Sequence, residues 1–261
     1  MADFGPVRLF LPGSFAAMSE DLREAFTRVA PGAELWFHRF MPSGVLAREI
    51  LDGAAADVAV SANIPFMAQL WQGGLIAAPH ILAGNRLCLI VQPERAGTVR
   101  SLDDVSRDDI RLVVPQSATD PCGQYVVELF ARAGLTDVMR KKAAAGTLVH
   151  SVGSRDLPAF LVAGRADAGI LYASEANSLG AQVATIALPA PFDLRDRIAF
   201  VVGAVARADR WHPLAQAFVD YLIGPVGQAL LAKQGFLPAA AVTVTDLPWS
   251  LPVPKAGSRT E

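Results

Sequence analysis

Strand and helix patterns alternate over the first 75 residues, and this alternation constrains the fold more than any other feature. Short apolar strands are each followed by a helix with apolar residues on one face, in the order strand 7–11, helix 14–30, strand 34–40, helix 43–51, strand 57–61 and helix 64–72. Such alternation predicts a parallel sheet with helices on its faces. We therefore predict an α/β protein, with Ser14 as the N-cap of the first helix.

The rest of the chain continues with both kinds of element. Apolar runs predict strands at 85–91, 111–114, 168–172, 183–188 and 197–204, and periodic apolar residues predict helices at 123–133, 155–163, 213–222 and 226–233. The sequence contains no internal repeat and no low-complexity segment. Its 261 residues are enough for one large domain or two lobes.

Small residues follow several of the predicted strands. Three strand-to-helix turns contain Pro12-Gly13-Ser14, Pro42-Ser43-Gly44 and Asp120-Pro121-Cys122-Gly123, and a fourth strand ends at Tyr172. Ligands of α/β sheets bind beyond the carboxyl ends of the strands, and helix N-termini hold anions through unpaired N–H groups. Several such turns in one cleft are typical of a receptor for a small oxyanion rather than of an enzyme.

The charge balance limits the class of ligand. The net charge is −2 and the pI is about 6.1, which argues against nucleic acid because that partner requires a basic face. An anion must therefore be bound by local dipoles rather than by a broad positive field. No apolar run approaches the roughly 18 residues of a membrane span.

Candidate catalytic and metal-binding groups are few. The two cysteines, Cys88 and Cys122, have no metal-ligand spacing and form no disulfide framework, although the sequence leaves a bridge between them open. Cys122 has no adjacent histidine to act as its base, and the four histidines lack metal-ligand spacing. We expect neither an enzyme nor a cofactor.

A set of motifs in a fixed order resembles one known family. They are Ser43-Gly44-Val45-Leu46-Ala47-Arg48-Glu49-Ile50, Ala56-Asp57-Val58, Ser61-Ala62-Asn63, Gly84-Asn85-Arg86-Leu87, Asp120-Pro121-Cys122-Gly123, Gly164–Tyr172 and Gln234-Gly235-Phe236. Together they resemble the molybdate/tungstate-binding receptors of ABC transporters, in the class II periplasmic binding-protein fold. The resemblance covers nearly the whole chain, from about Val7 to Pro238.

The resemblance implies a two-lobe fold with a ligand cleft between the lobes. One lobe would comprise residues 1–84 plus 197–261, the other would comprise 85–196, and the lobes would close around the ligand by a hinge motion. Residues 247–261, rich in proline and polar residues, are predicted to be a loose tail.

The resemblance also implies ligand-binding residues. Ser14 and Ser43 match two serines that each offer a hydroxyl and a backbone N–H, Cys122 matches a backbone N–H donor, and Tyr172 matches a tyrosine whose hydroxyl donates. Ser154, 18 residues before Tyr172, lies where the family has either a backbone donor or, in the archaeal branch, a carboxylate. Ser154 cannot supply that carboxylate, so six-coordinate metal binding does not follow.

Two further residues are candidates for contact with the ligand. Asp120 is, with Asp156, the acid nearest to the predicted site, and it could touch the ligand. Arg39, after His38, departs from the small polar residues usual before Ser43. A cation there could favour another anion or lie on the surface.

The sequence therefore predicts a substrate-binding receptor for a tetrahedral oxyanion, molybdate or tungstate, that passes its ligand to an ABC permease. We expect a monomer without catalytic residues. Two alternatives stay open: a cytoplasmic ligand-sensing module, and a receptor for sulfate, phosphate or a small carboxylate. The N-terminus has no signal-peptide pattern, so the predicted location is periplasmic or cell-surface if a signal was removed and cytoplasmic otherwise.

Overall fold

The computed structural model describes residues 5–76, 78–206, 211–244 and 247–250. Within them the strands are β1 Val7–Phe10, β2 Leu35–Phe37, β3 Val58–Ser61, β4 His80–Gly84, β5 Leu87–Val91, β6 Leu112–Pro115, β7 Leu148–Ser151, β8 Ala168–Tyr172, β9 Ala184–Ala187 and β10 Ala199–Ala204. The helices are α1 Ser19–Val29, α2 Ser43–Leu51, α3 Ile64–Gln72, α4 Leu102–Val105, α5 Pro121–Arg132, α6 Thr136–Ala144, α7 Leu157–Val162, α8 Ala173–Leu179, α9 Pro213–Ile223 and α10 Pro225–Gln234.

The strands form two mixed sheets of five strands each, and the α/β class is confirmed. The first sheet has the order β2-β1-β3-β10-β4, with β1, β2 and β3 parallel and β10 antiparallel to its neighbours. The second has the order β7-β6-β8-β5-β9, with β6, β7 and β8 parallel and β5 antiparallel to its neighbours. Each sheet therefore directs the carboxyl ends of three parallel strands toward one edge.

The chain passes between the two sheets twice. The first passage runs from β4 to β5 through Asn85, a fully buried residue whose Nδ2 donates to Ser174 Oγ at 2.8 Å. The second runs from β9 back to β10. Gly84 also exchanges two backbone hydrogen bonds with Leu237, of 2.8 and 3.0 Å, which tie the later chain to the first passage. The proposed lobe boundaries, 1–84 plus 197–261 and 85–196, stay a prediction.

The apolar core covers both faces of the first sheet. One cluster contains Leu9, Val58 and Val202 and continues into the second sheet, and a smaller cluster contains Phe10 and Val201 on the opposite face. Alternate residues of a strand point to opposite faces, which explains why neighbours in β1 and β10 belong to different clusters.

The structure differs from the predicted elements at several ends. The helix predicted at 14–30 begins with a 3₁₀ segment, Gly13–Met18, so that Ser14 lies inside this segment and is not an N-cap. Short 3₁₀ turns are common before α-helices. Of the predicted tail, residues 247–250 include a 3₁₀ turn at Pro248–Ser250 whose Trp249 packs against the smaller cluster, and 251–261 lie outside the described residues.

Candidate functional site

The carboxyl ends of parallel strands from both sheets meet at a cleft. It contains a cavity of about 130 Å³. Five of the residues singled out in the sequence line this cavity, namely Ser14, Ser43, Asp120, Ser154 and Tyr172. A volume of this size holds a few water molecules, and it is well below the roughly 300–1,000 Å³ of drug-sized ligand pockets. The cleft therefore fits a small solute.

Two buried serines form the first-sheet side of the cleft. Ser14 lies in the turn after β1, and Ser43 is the first residue of α2. The Ser43 hydroxyl oxygen accepts the backbone N–H of Ala62 at 2.9 Å. Because a hydroxyl has one proton and two acceptor positions, this bond leaves the Ser43 proton available for a solute.

Asp120 lines the cleft on the side of the second sheet. It caps α5, with Oδ1 accepting the Cys122 N–H and Oδ2 accepting the Ser154 N–H, both at 2.8 Å. Burial raises the pKa of this carboxyl to about 6, against the opposing effect of these backbone donors. The Cys122 N–H is thus bonded to Asp120 in this structure, and its role toward an anion stays a prediction.

Tyr172 ends β8 at the floor of the cleft. Its side chain is 1% exposed, and its hydroxyl has no hydrogen-bond partner among the described residues. The ring packs edge-on against Phe200, with 5.4 Å between ring centroids, which fixes its direction. Burial raises the pKa of the hydroxyl well above its usual value, so Tyr172 stays a donor.

Glu175, in the first turn of α8, was not expected from the sequence. Its carboxyl is buried beside the cleft, where Oε1 accepts the Ser154 hydroxyl at 2.9 Å and Oε2 has no partner among the described residues. Burial, with the nearby Asp120 carboxylate, raises the pKa of Glu175 to about 8. An acid in the first turn is an ordinary helix-stabilising residue, and no motif set Glu175 apart.

The structure places Arg39 away from the cleft. Its side chain is 70% exposed and bonds Glu49 Oε1 at 3.1 Å, and His38 bonds the other oxygen of Glu49. The arginine at the cleft is instead Arg155, whose guanidinium carbon lies 5.8 Å from the centre of the Phe40 ring. Nothing in the sequence distinguished Arg155 from other arginines.

The two sides of the cleft touch directly. The Gly44 N–H donates to the Thr119 carbonyl at 2.9 Å, and Asn63 Nδ2 donates to Gln124 Oε1 at 2.8 Å. A Cβ on Gly44 would lie 2.7 Å from the Thr119 oxygen, so only glycine allows this approach. The structure therefore shows the cleft in a closed form.

One family model accounts for most of the chain. The model of the bacterial extracellular solute-binding proteins matches residues 7–237. The chain belongs to this family. Its members bind solutes and are not enzymes, as the sequence predicted. Among the residues that the structure describes, no group of three or more histidine, cysteine or acidic side chains could hold a metal ion, and both cysteines are free and buried.

Curated relatives agree with this membership. This solute-binding protein is 27% identical over 230 residues to the molybdate-binding protein ModA of Mycobacterium tuberculosis, covering 85% of this chain and 82% of that one. It is 28% identical over 240 residues to ModA of Haemophilus influenzae, covering 88% and 89%. These matches confirm the resemblance to molybdate receptors that the motifs indicated.

Solved structures confirm the two-lobe periplasmic binding-protein fold. The periplasmic molybdate-binding protein of Azotobacter vinelandii superposes with a TM-score of 0.76 at 19% identity, covering 88% of this chain and 98% of that one. The sulfate-binding protein SubI of M. tuberculosis superposes with a TM-score of 0.70 at 19% identity, covering 88% and 85%.

Among the described residues, no single helix is both long and apolar enough to cross a membrane. One pair of helices bent by 60°, Pro213–Ile223 with Pro225–Gln234, meets that requirement by length and composition alone.

Proposed function

We propose that this solute-binding protein is the receptor for a tetrahedral oxyanion, molybdate or tungstate, of an ABC transporter. The observation that carries the proposal concerns Tyr172, which lines a cavity of about 130 Å³ and whose buried hydroxyl has no partner among the described residues. An unpaired buried donor is costly, and an anion oxygen at this position would satisfy it. The names of the ModA relatives support the same ligand class.

The donors in the cleft suit a dianion that has lost its water. Ser14, Ser43 and Tyr172 are neutral donors aimed from different elements, so they select by geometry rather than by charge. A hydrogen bond to a charged group contributes roughly 1.5–3 kcal/mol. About six such bonds, some from backbone N–H groups, would offset dehydration and leave binding near −8 kcal/mol, which is about micromolar or tighter.

Sulfate is the second candidate ligand. It has the same tetrahedral shape, and the fold is shared with the sulfate-binding protein SubI. Ser154, whose hydroxyl bonds to Glu175, supplies no carboxylate of its own to set a larger oxyanion apart from sulfate. A test of the ligand therefore requires both molybdate and sulfate.

The proposal extends to transport. We infer that this protein acts outside the cytoplasmic membrane as a monomer, without a cofactor, and delivers the closed complex to an ABC permease. The family name and a relative from Bacillus subtilis, a putative ABC transporter substrate-binding lipoprotein that is 27% identical over 197 residues, support this location and partner.

Thermal unfolding against molybdate, tungstate, sulfate, phosphate and small carboxylates tests the ligand. At about 1,000 times its dissociation constant, a ligand stabilises the fold by roughly 4 kcal/mol. We expect the unfolding midpoint to rise by about 8–16 °C with molybdate and tungstate, given the size of the chain. A rise in the midpoint with sulfate alone would identify sulfate as the ligand in place of molybdate or tungstate. If none of these anions raised the midpoint, the proposed function would be overturned.

A further inference from the structure

We propose that Glu175 is a proton-binding residue of the anion site, so that an oxyanion binds to the cleft with one proton on the Glu175 carboxyl and binds more tightly as the pH falls from alkaline toward neutral. The inference rests on the proposed function and deepens it. It assigns to Glu175 a positioning role, since the carboxyl acts through the serine hydroxyls that face the anion.

The position of Glu175 carries the first step. Its Oε1 accepts the Ser154 hydroxyl at 2.9 Å and lies 3.7 Å from where a Cβ on Gly13 would be. Ser14 is a second hydrogen-bonding neighbour of the same carboxyl. Glu175, Ser14 and Ser154 also line a second cavity of about 140 Å³, which shares both serines with the first. The carboxyl therefore lies directly behind two hydroxyls of the anion site.

The charges around Glu175 do not favour its ionised form. Asp120, at the start of α5, raises the pKa of Glu175, and Arg155, in the 3₁₀ turn before α7, lowers it. Arg155 is an exposed side chain, so solvent screens its effect. The 3₁₀ segment Gly13–Met18 brings no charged residue. Cys88 on β5, Cys122 on α5 and Tyr172 on β8 are also nearby, and they stay neutral because burial raises their pKa. Asp156, which follows Arg155 in the same turn, is an exposed acid that also lines the cleft.

Hydroxyl protons supply the mechanism. An ionised Glu175 accepts the single proton of Ser154, which then turns lone pairs toward an incoming anion. When the carboxylate takes one proton from solvent, its new O–H donates to a serine oxygen, and the serine proton is released to donate to the anion. The unpartnered Oε2 is a second oxygen where that proton could reside. Protonation also removes one negative charge from the neighbourhood of a dianion.

The sign of the pH effect follows from linkage. The pKa of Glu175 is about 8 in the structure without an anion, and a bound dianion raises it further because like charges disfavour ionisation. Below about pH 8 Glu175 already carries the proton, so its ionisation makes the affinity for the anion depend little on pH. Above about pH 8 binding must take up the proton, and affinity falls by up to about tenfold per pH unit.

Titration calorimetry tests the inference on the intact chain. Molybdate and sulfate are the probes, since neither takes up a proton from neutral to alkaline pH. Affinity is measured from about pH 7 to about pH 9.5, and proton uptake is obtained from two buffers of different ionisation heat. For wild type we expect uptake approaching one proton per anion at the alkaline end and a tenfold or greater loss of affinity across the range.

Matched variants assign the proton to Glu175. Glu175→Gln keeps the shape and offers a permanent N–H donor, so we expect binding with neither proton uptake nor pH dependence in this range. Glu94→Gln removes an exposed acid far from the cleft and should keep the wild-type profile. If Glu175→Gln fails to fold, the wild-type measurement still tests the inference, because an absence of proton uptake at alkaline pH would overturn it.

Two results would overturn the inference and leave the proposed function standing. One is wild-type binding without proton uptake at alkaline pH, and the other is a Glu175→Gln variant that keeps the wild-type uptake. Failure of both probes to bind at any pH would instead overturn the proposed function, and the inference with it.

Discussion

The hydroxyl of Tyr172, unpaired among the described residues, should destabilise the protein without an anion and stabilise its complex with one. Buried donors without partners destabilise a fold by about 1–3 kcal/mol, and Tyr172 bears this cost with its ring fixed against Phe200. Natural proteins keep few such groups, and a role in a functional site is one reason for keeping them. The residue that weakens the empty protein is therefore the one expected to strengthen the complex.

Tyr172→Phe should separate these two effects. Removing the hydroxyl should leave the unfolding midpoint without anion unchanged or slightly higher, because no bond among the described residues is lost. Molybdate affinity should fall by about tenfold to one-hundredfold, the equivalent of one charge-assisted hydrogen bond. Calorimetry and thermal unfolding measure the two quantities.

Tyr221→Phe is the matched control for this substitution. Tyr221, on α9, is the other buried tyrosine whose hydroxyl has no partner among the described residues, and it does not line the cleft. The Tyr221→Phe variant should keep the wild-type affinity for molybdate. If Tyr172→Phe and Tyr221→Phe bound molybdate with equal affinity, the anion would not contact the Tyr172 hydroxyl.

The elements around the cleft share one arrangement. Parallel strands from each sheet end at the cleft, and the following turns supply Ser14, Ser43, Asp120 and Ser154. Small residues in these turns allow the two sides to approach, above all Gly44 in the first turn of α2. Closure of the cleft thus depends on the absence of a Cβ at Gly44 as well as on the polar groups of the turns.

Gly44→Ala should weaken binding by preventing full closure. The new methyl would lie 2.7 Å from the Thr119 carbonyl oxygen, so the lobes must stay further apart. We expect at least about a tenfold loss of molybdate affinity, or about 1.4 kcal/mol. Small-angle scattering should show less compaction on adding molybdate. Gly97→Ala, where no atom lies within 4 Å of the new methyl, is the control, and a Gly44→Ala variant that matched it in both measurements would contradict this account.

How far the sequence predicts this arrangement depends on the range of each interaction. Local apolar patterns predicted β1, β3, α2 and α3 because helix and strand periods are read from neighbouring residues. The position of Glu175 beside Ser154 joins residues 21 apart, with α7 and β8 between them, and no local pattern contains it. The same holds for Asp120, whose second oxygen bonds a backbone group 34 residues away. Ser14, Ser43 and Tyr172 were identified only because motifs mark them.

At the scale of the whole molecule, the proposed hinge closure would make the apparent affinity depend on the balance between open and closed lobes. A solute shifts this balance by the difference in its affinity for the two forms. The bond from Asn63 to Gln124, at 2.8 Å, forms across the cleft and so contributes only to the closed form.

Gln124→Ala should reduce affinity without altering the anion's own contacts. Loss of one neutral hydrogen bond of about 0.5–1.5 kcal/mol lowers molybdate affinity by about twofold to tenfold. Gln216→Ala is the control, since Gln216 makes a bond of the same length to Asp220 within α9. Calorimetry that found equal affinity for the two variants would refute a role for this bond in closure.

The direct contact between Gly44 and Thr119 also has a kinetic consequence. With the cleft shut, a captured anion leaves only after the lobes part, so its residence time cannot be shorter than the waiting time for opening. The isolated protein therefore cannot both bind the anion tightly and release it rapidly. If the proposed permease unloads this protein quickly, it would have to pull the lobes apart, and it would then bind their outer surfaces rather than the anion.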